Sequence, residues 1–237
     1  MNKWTFDQDE VAQGILALKS KGRIPMVTLG IKEAALKRFQ HKLYASAIRF
    51  SAPTVANDGD PGRYNPPNGS VSVWYAADAS ITALAESLGR IYHLQGIVSY
   101  PQSALAKKYI CSVDIINEVK VIDVVKLCTR LHIPLDSIEN ENYAFTQWLM
   151  VFLHTHFQSD ADGLSYRSRH HDYKRCYAFW ESKGKPCPFQ DTRGGMVSVL
   201  DYKEYDSQIL PKGWGFEYMS GDDMLEEILE FTILANL

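Results

Sequence analysis

No stretch of eighteen consecutive apolar residues occurs anywhere in this 237-residue chain, which removes a transmembrane helix from consideration. The opening residues, M-N-K-W-T-F-D-Q-D-E, hold no unbroken apolar segment, so a cleavable secretory signal is not expected. Cysteine is scarce. Cys111, Cys128, Cys176 and Cys187 make no C-x-x-C pair and no short secreted framework, and Cys111 sits in an apolar run that suits a core residue. Positive charge is not in excess: 25 Lys and Arg against 28 Asp and Glu give a net charge of −3. No global field therefore draws in nucleic acid or an acidic membrane. Also missing are G-x-G-x-x-G after a strand, G-x-x-x-x-G-K-[ST] and the G-x-S-x-G elbow. Rossmann and P-loop nucleotide binding and serine-hydrolase chemistry are thereby disfavoured. A protein of a reducing cytoplasm is the expectation, with export by a route that needs no cleavable signal left open.

What the chain has instead is length for one large domain, which buries roughly 70% of its unfolded surface and needs no disulfide or metal to hold it. No internal repeat or low-complexity segment interrupts it. Val11, Ile15, Leu16 and Leu18 recur near helical spacing over 8–20, and residues 31–39, I-K-E-A-A-L-K-R-F, repeat the pattern. Residues 1–40 thus read as a helical lead-in and 41–237 as the catalytic domain. Residues 44–50 and 71–76 read as strands around a structured loop at 57–69, rich in Gly, Pro, Asn and Asp. Ser80 is the expected N-cap of a helix over 81–89, with Gly89 near its end. Strands follow at 109–116 and 119–125 with a turn at 117–118, then a buried helix at 143–157. Further strands are expected at 163–166, 175–181 and 196–200, and a closing helix at 222–231. This order predicts a single α+β domain with a mainly antiparallel, mixed sheet flanked by helices.

The chemistry concentrates between Arg49 and Glu86, which reads I-R-F-S, G-R-Y-N-P-P-N-G, V-S-V-W-Y-A-A and S-I-T-A-L-A-E-S. The guanidinium groups of Arg49 and Arg63 offer planar forks that meet pyrophosphate oxygens bidentately. Tyr75, at the end of a strand, can stack on a nicotinamide or adenine ring and orient a ribose through its hydroxyl. Glu86 lies among Ala83, Leu84, Ala85 and Leu88 in a helix. Its carboxylate suits a ribose hydroxyl and the positive charge that grows as a glycosidic bond breaks. A second cluster, D-G-L-S-Y-R-S-R at 162–169, brings Ser168, able to donate to a ligand carbonyl or orient a water, between Arg167 and Arg169. Each residue also has an ordinary reading, as a surface arginine, a half-buried tyrosine or a solvent-edge glutamate. Only the set points to a phosphate-bearing, sugar-containing ligand. No metal is expected: His154 and His156 sit two residues apart on a helix and face different ways, and His170, His171, Cys176 and Cys187 fit no zinc spacing.

These motifs resemble the RES domain, the toxin half of RES–Xre toxin–antitoxin pairs, over about residues 44–200, with V-I-D-V-V-K-L and N-Y-A-F-T-Q-W-L as further similar segments. The resemblance implies a fold similar to that of ADP-ribosyltransferases and consumption of NAD. Carried over by motif, the arginine of the family's first strand falls on Arg49 and that of its glycine–arginine turn on Arg63. The tyrosine after the second strand falls on Tyr75, the glutamate on Glu86 and the serine on Ser168. Phe50 stands where many members have tyrosine, Tyr64 where tryptophan is often seen, and the 40-residue lead-in is longer than in a minimal member.

The implied substrate is NAD, with no cofactor beyond it. A separate antitoxin or immunity protein is implied as partner, because no Xre-like helix-turn-helix appears in the chain. Nicotinamide is a cationic leaving group, so its departure needs no strong acid. It needs a clamped pyrophosphate (Arg49, Arg63), a positioned ring and ribose (Tyr75), a stabilised ribosyl cation (Glu86) and an orienting hydroxyl (Ser168). Water, phosphate or a protein side chain as acceptor gives hydrolysis, phosphorolysis or ADP-ribosylation. Depletion of free NAD is the favoured expectation, protein ADP-ribosylation the alternative. A non-catalytic module that binds a nucleotide or an antitoxin is the second alternative. The sequence sets no oligomeric state and points to no direct nucleic-acid or membrane contact.

Overall fold

The computed structural model describes residues 7–31, 35–54, 61–96, 99–171, 174–182 and 184–235. Helix α1 (Gln8–Ser20) begins where the Asp7 side chain accepts from the N–H groups of Asp9 and Glu10, satisfying donors that a first helical turn leaves open. Val11 and Ile15 then face the core, at the spacing read from the sequence.

Eight strands form one sheet: β1 (Met26–Leu29), β2 (Leu36–Gln40), β3 (Val73–Ala77), β5 (Tyr109–Ile115), β6 (Val119–Asp123), β7 (Gly163–Arg167), β8 (Arg175–Trp180) and β9 (Phe189–Ser198). Their order is β1-β6-β7-β8-β3-β2-β5-β9. Every neighbouring pair is antiparallel except β6–β7, which is parallel. A parallel pair needs a long crossover. Residues between β6 and β7 supply it with α4 (Val124–Arg130), α5 (Asp136–Glu139) and α6 (Ala144–Phe157); the other elements are α2 (Ser80–Gln95), β4 (Ser99–Pro101) and the short α3 (Gln102–Leu105). The C-terminal part adds β10 (Lys203–Glu204) paired with β11 (Met219–Ser220), α7 (Gly221–Asp223), a π turn at Met224–Ile228, and β12 (Thr232–Leu234) alongside β4. The architecture is the α+β, mainly antiparallel one expected. Among the described residues no helix is long and apolar enough to cross a membrane.

Three local expectations are corrected. Residues 31–39 do not form a helix: 36–40 are strand β2, and 32–34 lie outside the described residues. Five consecutive pairings with β5, from Leu36↔Val113 to Gln40↔Tyr109, override a helical pattern that the same apolar positions also satisfy. Residues 44–50 are not a strand but an irregular segment that covers the second face of the sheet, its Ala47, Ile48 and Phe50 packing with Trp74, Phe179 and Phe189. Its backbone is satisfied by side chains: Ala47 N–H donates to Asp191 Oδ1 at 2.9 Å, and Ala47 C=O accepts from Trp74 Nε1 and Arg38 Nη1, both at 2.9 Å. The strands expected at 109–116 and 119–125 form as β5 and β6 with a bend at 117 between them, and they join different parts of the sheet, β5 between β2 and β9 and β6 between β1 and β7. Finally, Ser80 is the first helical residue of α2, Ala79 is its N-cap without a side-chain bond, and the helix runs past Gly89 to Gln95. Gly89 is inside the helix because a Cβ there would meet the His170 ring at 2.7 Å. Of the loop read at 57–69, residues 57–60 lie outside the described residues.

One feature of this sheet makes the site. β2 and β3 share a single pairing, Lys37↔Ala77; beyond it the strands part, and a cleft opens between them. Next to β3, Asp78 accepts from Tyr177 Oη at 2.7 Å. Burial raises its carboxyl above the ordinary value, and the Tyr177 hydroxyl, the Arg175 backbone and the charges of Arg175 and Lys174 only partly oppose this. A raised carboxyl favours folding below its unfolded pKa and loses that contribution as pH rises through the folded value. Asp78→Asn is therefore expected to match the parent's melting temperature below about pH 4 and to exceed it increasingly as pH rises, read from thermal melts across pH.

Candidate active site

The cleft, about 290 Å³ in volume, is lined from β2, β3, the turn after residue 61, α2 and the segment following β7. Helix α2 turns its apolar residues Ala83, Leu84, Ala85 and Leu88 into the core, which leaves Glu86 and Ser87 on the edge facing the cleft. Glu86 is anchored at one oxygen: Oε1 accepts from Ser168 Oγ at 2.7 Å and from the Arg169 N–H at 3.2 Å. Its other oxygen, Oε2, lies 3.9 Å from Arg63 Nη2. A carboxylate held by two donors is fixed in orientation, with its remaining charge turned to the cleft.

Arg63 is 7% exposed. Its guanidinium lies 5.4 Å from the Tyr166 ring centroid and donates to the Arg167 carbonyl at 3.5 Å. Burial alone pulls its pKa down; the Glu86 carboxylate, with the nearby Tyr64, Tyr166 and Tyr143, reverses the sign. The turn that carries it is bolted from α6, where Thr146 Oγ1 donates to the Arg63 carbonyl at 2.7 Å and Gln147 Nε2 to the Gly62 carbonyl at 3.2 Å. Tyr75 braces the same turn from β3, its hydroxyl accepting from the Tyr64 N–H at 2.9 Å while its side chain lines the cleft. A Cβ at Gly62 would fall 2.7 Å from Asn65 Oδ1 and 3.0 Å from the Tyr75 hydroxyl, so the turn needs glycine there.

Ser168 is buried and gives its hydroxyl hydrogen to Glu86, while its oxygen accepts from the N–H groups of His170 and His171 at 3.2 and 3.1 Å. It stands behind Glu86 and lines an adjoining cleft of about 660 Å³ that shares Arg169 and His170 with the first. Arg63, Tyr75, Glu86 and Ser168 are thus brought together.

Arg49 is not. It is exposed, with its guanidinium 4.9 Å from the Tyr44 ring centroid, and it does not line the cleft. The strand expected around it is irregular backbone; of the strands that border the cleft, β2 brings an arginine to it, Arg38. Arg38 donates to the carbonyls of Ala47 and Arg49 at 2.9 and 3.3 Å. Burial lowers its pKa to about 10, opposed by Cys111 and Tyr44 and assisted by Arg49, so it stays charged at neutral pH. Sequence reasoning also missed Thr146, Gln147, Tyr166 and the Arg169–Tyr143 contact, where Arg169 Nη2 donates to the Tyr143 hydroxyl at 2.9 Å. Lys37, Arg38, Arg63 and Arg169 all line the cleft, and among the described residues Glu86 is its one carboxylate. Such a field favours a dianionic ligand.

A mainly antiparallel sheet that parts around a cationic cleft, with one anchored carboxylate at its edge, defines the class: an α+β domain built around a site for an anionic ligand. The chain matches the RES domain family over residues 35–198 and belongs to that family. No curated protein matches its sequence. Three solved chains match in structure. One comes from the M. tuberculosis MbcT–MbcA toxin–antitoxin complex, with 13% identity, a TM-score of 0.53, and an overlap covering 78% of this chain and 93% of that one. At that identity the likeness is one of fold.

Proposed function

We propose that this chain is the toxin of a toxin–antitoxin pair and that it cleaves the nicotinamide–ribose bond of NAD. The observation that carries the reading is Glu86, held by Ser168 and the Arg169 N–H on one oxygen and presenting the other to a cleft bordered by four cations. Membership of the RES family and the structural likeness to a toxin–antitoxin chain support the toxin assignment and a separate antitoxin.

In this mechanism Arg38 and Arg63 clamp the pyrophosphate and Tyr75 packs against the ring and ribose. The C–N glycosidic bond breaks with its electron pair leaving on the nicotinamide nitrogen, which neutralises the ring. The ribosyl oxocarbenium left behind faces Glu86, whose fixed charge stabilises it without reorganising. A water oxygen then bonds to the anomeric carbon and loses its proton to solvent, or an ionised phosphate oxygen bonds there with no proton to lose. Depletion of free NAD is favoured over modification of a protein.

The test is incubation of the pure protein with NAD, with product analysis in the presence and absence of phosphate, alongside Arg38→Ala and Arg49→Ala. The parent is expected to release nicotinamide. Arg38→Ala is expected to lose about tenfold or more in kcat/KM, the scale of one hydrogen bond to a charged group, and Arg49→Ala to match the parent. No nicotinamide release by the parent sinks the reading. A crippled Arg49→Ala beside a fully active Arg38→Ala returns the clamp to Arg49.

A further inference from the structure

The family match ends at residue 198, yet one buried carboxylate beyond it bonds the first residue of the Glu86 helix and, through Tyr202, neighbours Lys37 on β2. We infer that Glu204 is a positioning residue for the helix that carries Glu86 and for Lys37 on β2, so that the segment from 199 to 235 is a working part of the site. The catalytic half of this inference rests on the NAD-cleaving reading; the tethering half does not.

Glu204 on β10 is buried and fully satisfied. Its Oε2 accepts from Ser80 Oγ and from the Tyr202 hydroxyl, the latter at 3.0 Å, and its Oε1 accepts from the N–H groups of Tyr205 and Asp206 at 3.1 Å each. A buried carboxylate with four donors is held in one place. Ser80 is the first residue of α2, whose N-cap Ala79 offers no side-chain bond and whose first turn has no acidic residue. Glu204 therefore brings from 124 residues away the negative charge that a helix N-terminus favours. Glu86 follows six residues later, roughly 9 Å along the same rigid rod.

On the opposite side, Lys37 lines the cleft beside Arg38. Its Nζ donates to Ser112 Oγ at 2.8 Å and lies 5.7 Å from the Tyr202 ring centroid. Burial pulls the Lys37 pKa below its ordinary value, and the charges of Glu204 and Asp114 only partly oppose this. One carboxylate thus fixes the start of the Glu86 helix and supports the charge of a cation on the facing strand. The surrounding chain is shaped to keep it there. β10 pairs with β11, the Gly221 N–H donates to the Tyr202 carbonyl at 3.1 Å, and a Cβ at Gly221 would overlap the Val199 carbonyl oxygen. Met224 Sδ closes the group at 3.7 Å from Ser80 Oγ.

The experiment uses the full chain with Glu204→Gln and Ser80→Ala, and two readouts. Amide hydrogen exchange without NAD is expected to quicken in the first turns of α2 and around 202–206 in both variants, with the rest of the sheet unchanged. At a temperature where both variants remain folded, kcat for NAD is expected to fall about tenfold, within the range that loss of ångström-level positioning produces. In Glu204→Gln the alkaline limb of kcat/KM is also expected to move to lower pH, because Lys37 has lost a supporting carboxylate. Exchange and kcat at parent values overturn the inference. So does a kcat loss that follows only the unfolded fraction while the alkaline limb stays put. A parent inert toward NAD sinks the NAD reading instead, and the exchange pattern alone then decides whether Glu204 tethers the helix.

Discussion

Glu86→Gln is expected to lower kcat for NAD cleavage about 10³-fold, the upper end of what loss of one preorganised electrostatic contact produces. The substitution keeps size and shape, and an amide oxygen at the Oε1 position still accepts from Ser168 Oγ and the Arg169 N–H. What changes is the charge at Oε2, the atom facing Arg63 and the cleft. In the proposed reaction the nicotinamide cation's charge is already present in the ground state, whereas the ribosyl cation develops only as the bond breaks. The loss therefore belongs in kcat more than in KM. A neutral amide beside the buried Arg63 is expected to lower stability by about 1–3 kcal/mol, which for a chain of this size is a fall of several degrees in melting temperature. Single-turnover NAD cleavage and a thermal melt measure the two effects separately. A folded Glu86→Gln protein that turns over within tenfold of the parent would remove Glu86 from the chemistry.

The site's legibility followed the range of the signals. Arg63, Tyr75 and Glu86 were readable because each sits on a local device: a glycine turn, a strand end and a helix edge lie within 24 residues of one another. Ser168 was readable in position but not in role, since its bond to Glu86 spans 82 residues of chain. Arg38 was hidden. L-K-R-F fits a helix and a strand equally well, and only its register against β5, where Arg38 faces Cys111, decides for the strand. With β2 read as a helix, the expected strand arginine fell on Arg49, eleven residues beyond the arginine that lines the cleft. The same limit applies to Thr146 and Gln147, which hold the backbone of the Arg63 turn across 83 and 85 residues, although the helix that carries them was plain from its apolar run. Ser80 looked like an N-cap because serine so often is one; its real partner, Glu204, lies far outside any local window.

Arg63→Lys is expected to cut kcat/KM for NAD about 10²-fold, although it conserves the charge. The guanidinium at this position meets the Glu86 carboxylate, the Arg167 carbonyl and the Tyr166 ring at once. A planar fork can do this and still present an edge to a phosphate, while an ammonium is a compact point charge that resists losing its water in so buried a place. Because Arg63 and Glu86 face each other across the cleft, their losses should not add. With Glu86 already replaced by Gln, the Arg63–carboxylate ion pair is gone, and the further Arg63→Lys change takes away only Arg63's share of the phosphate clamp. The double variant is then expected to lose only a few-fold beyond Glu86→Gln alone, a coupling typical of groups that act as a unit. A complete cycle of kcat/KM values on folded proteins measures this. Strictly multiplicative losses would mean that Arg63 serves the ligand without reference to Glu86, and the two would have to be treated as independent devices that happen to share a cleft.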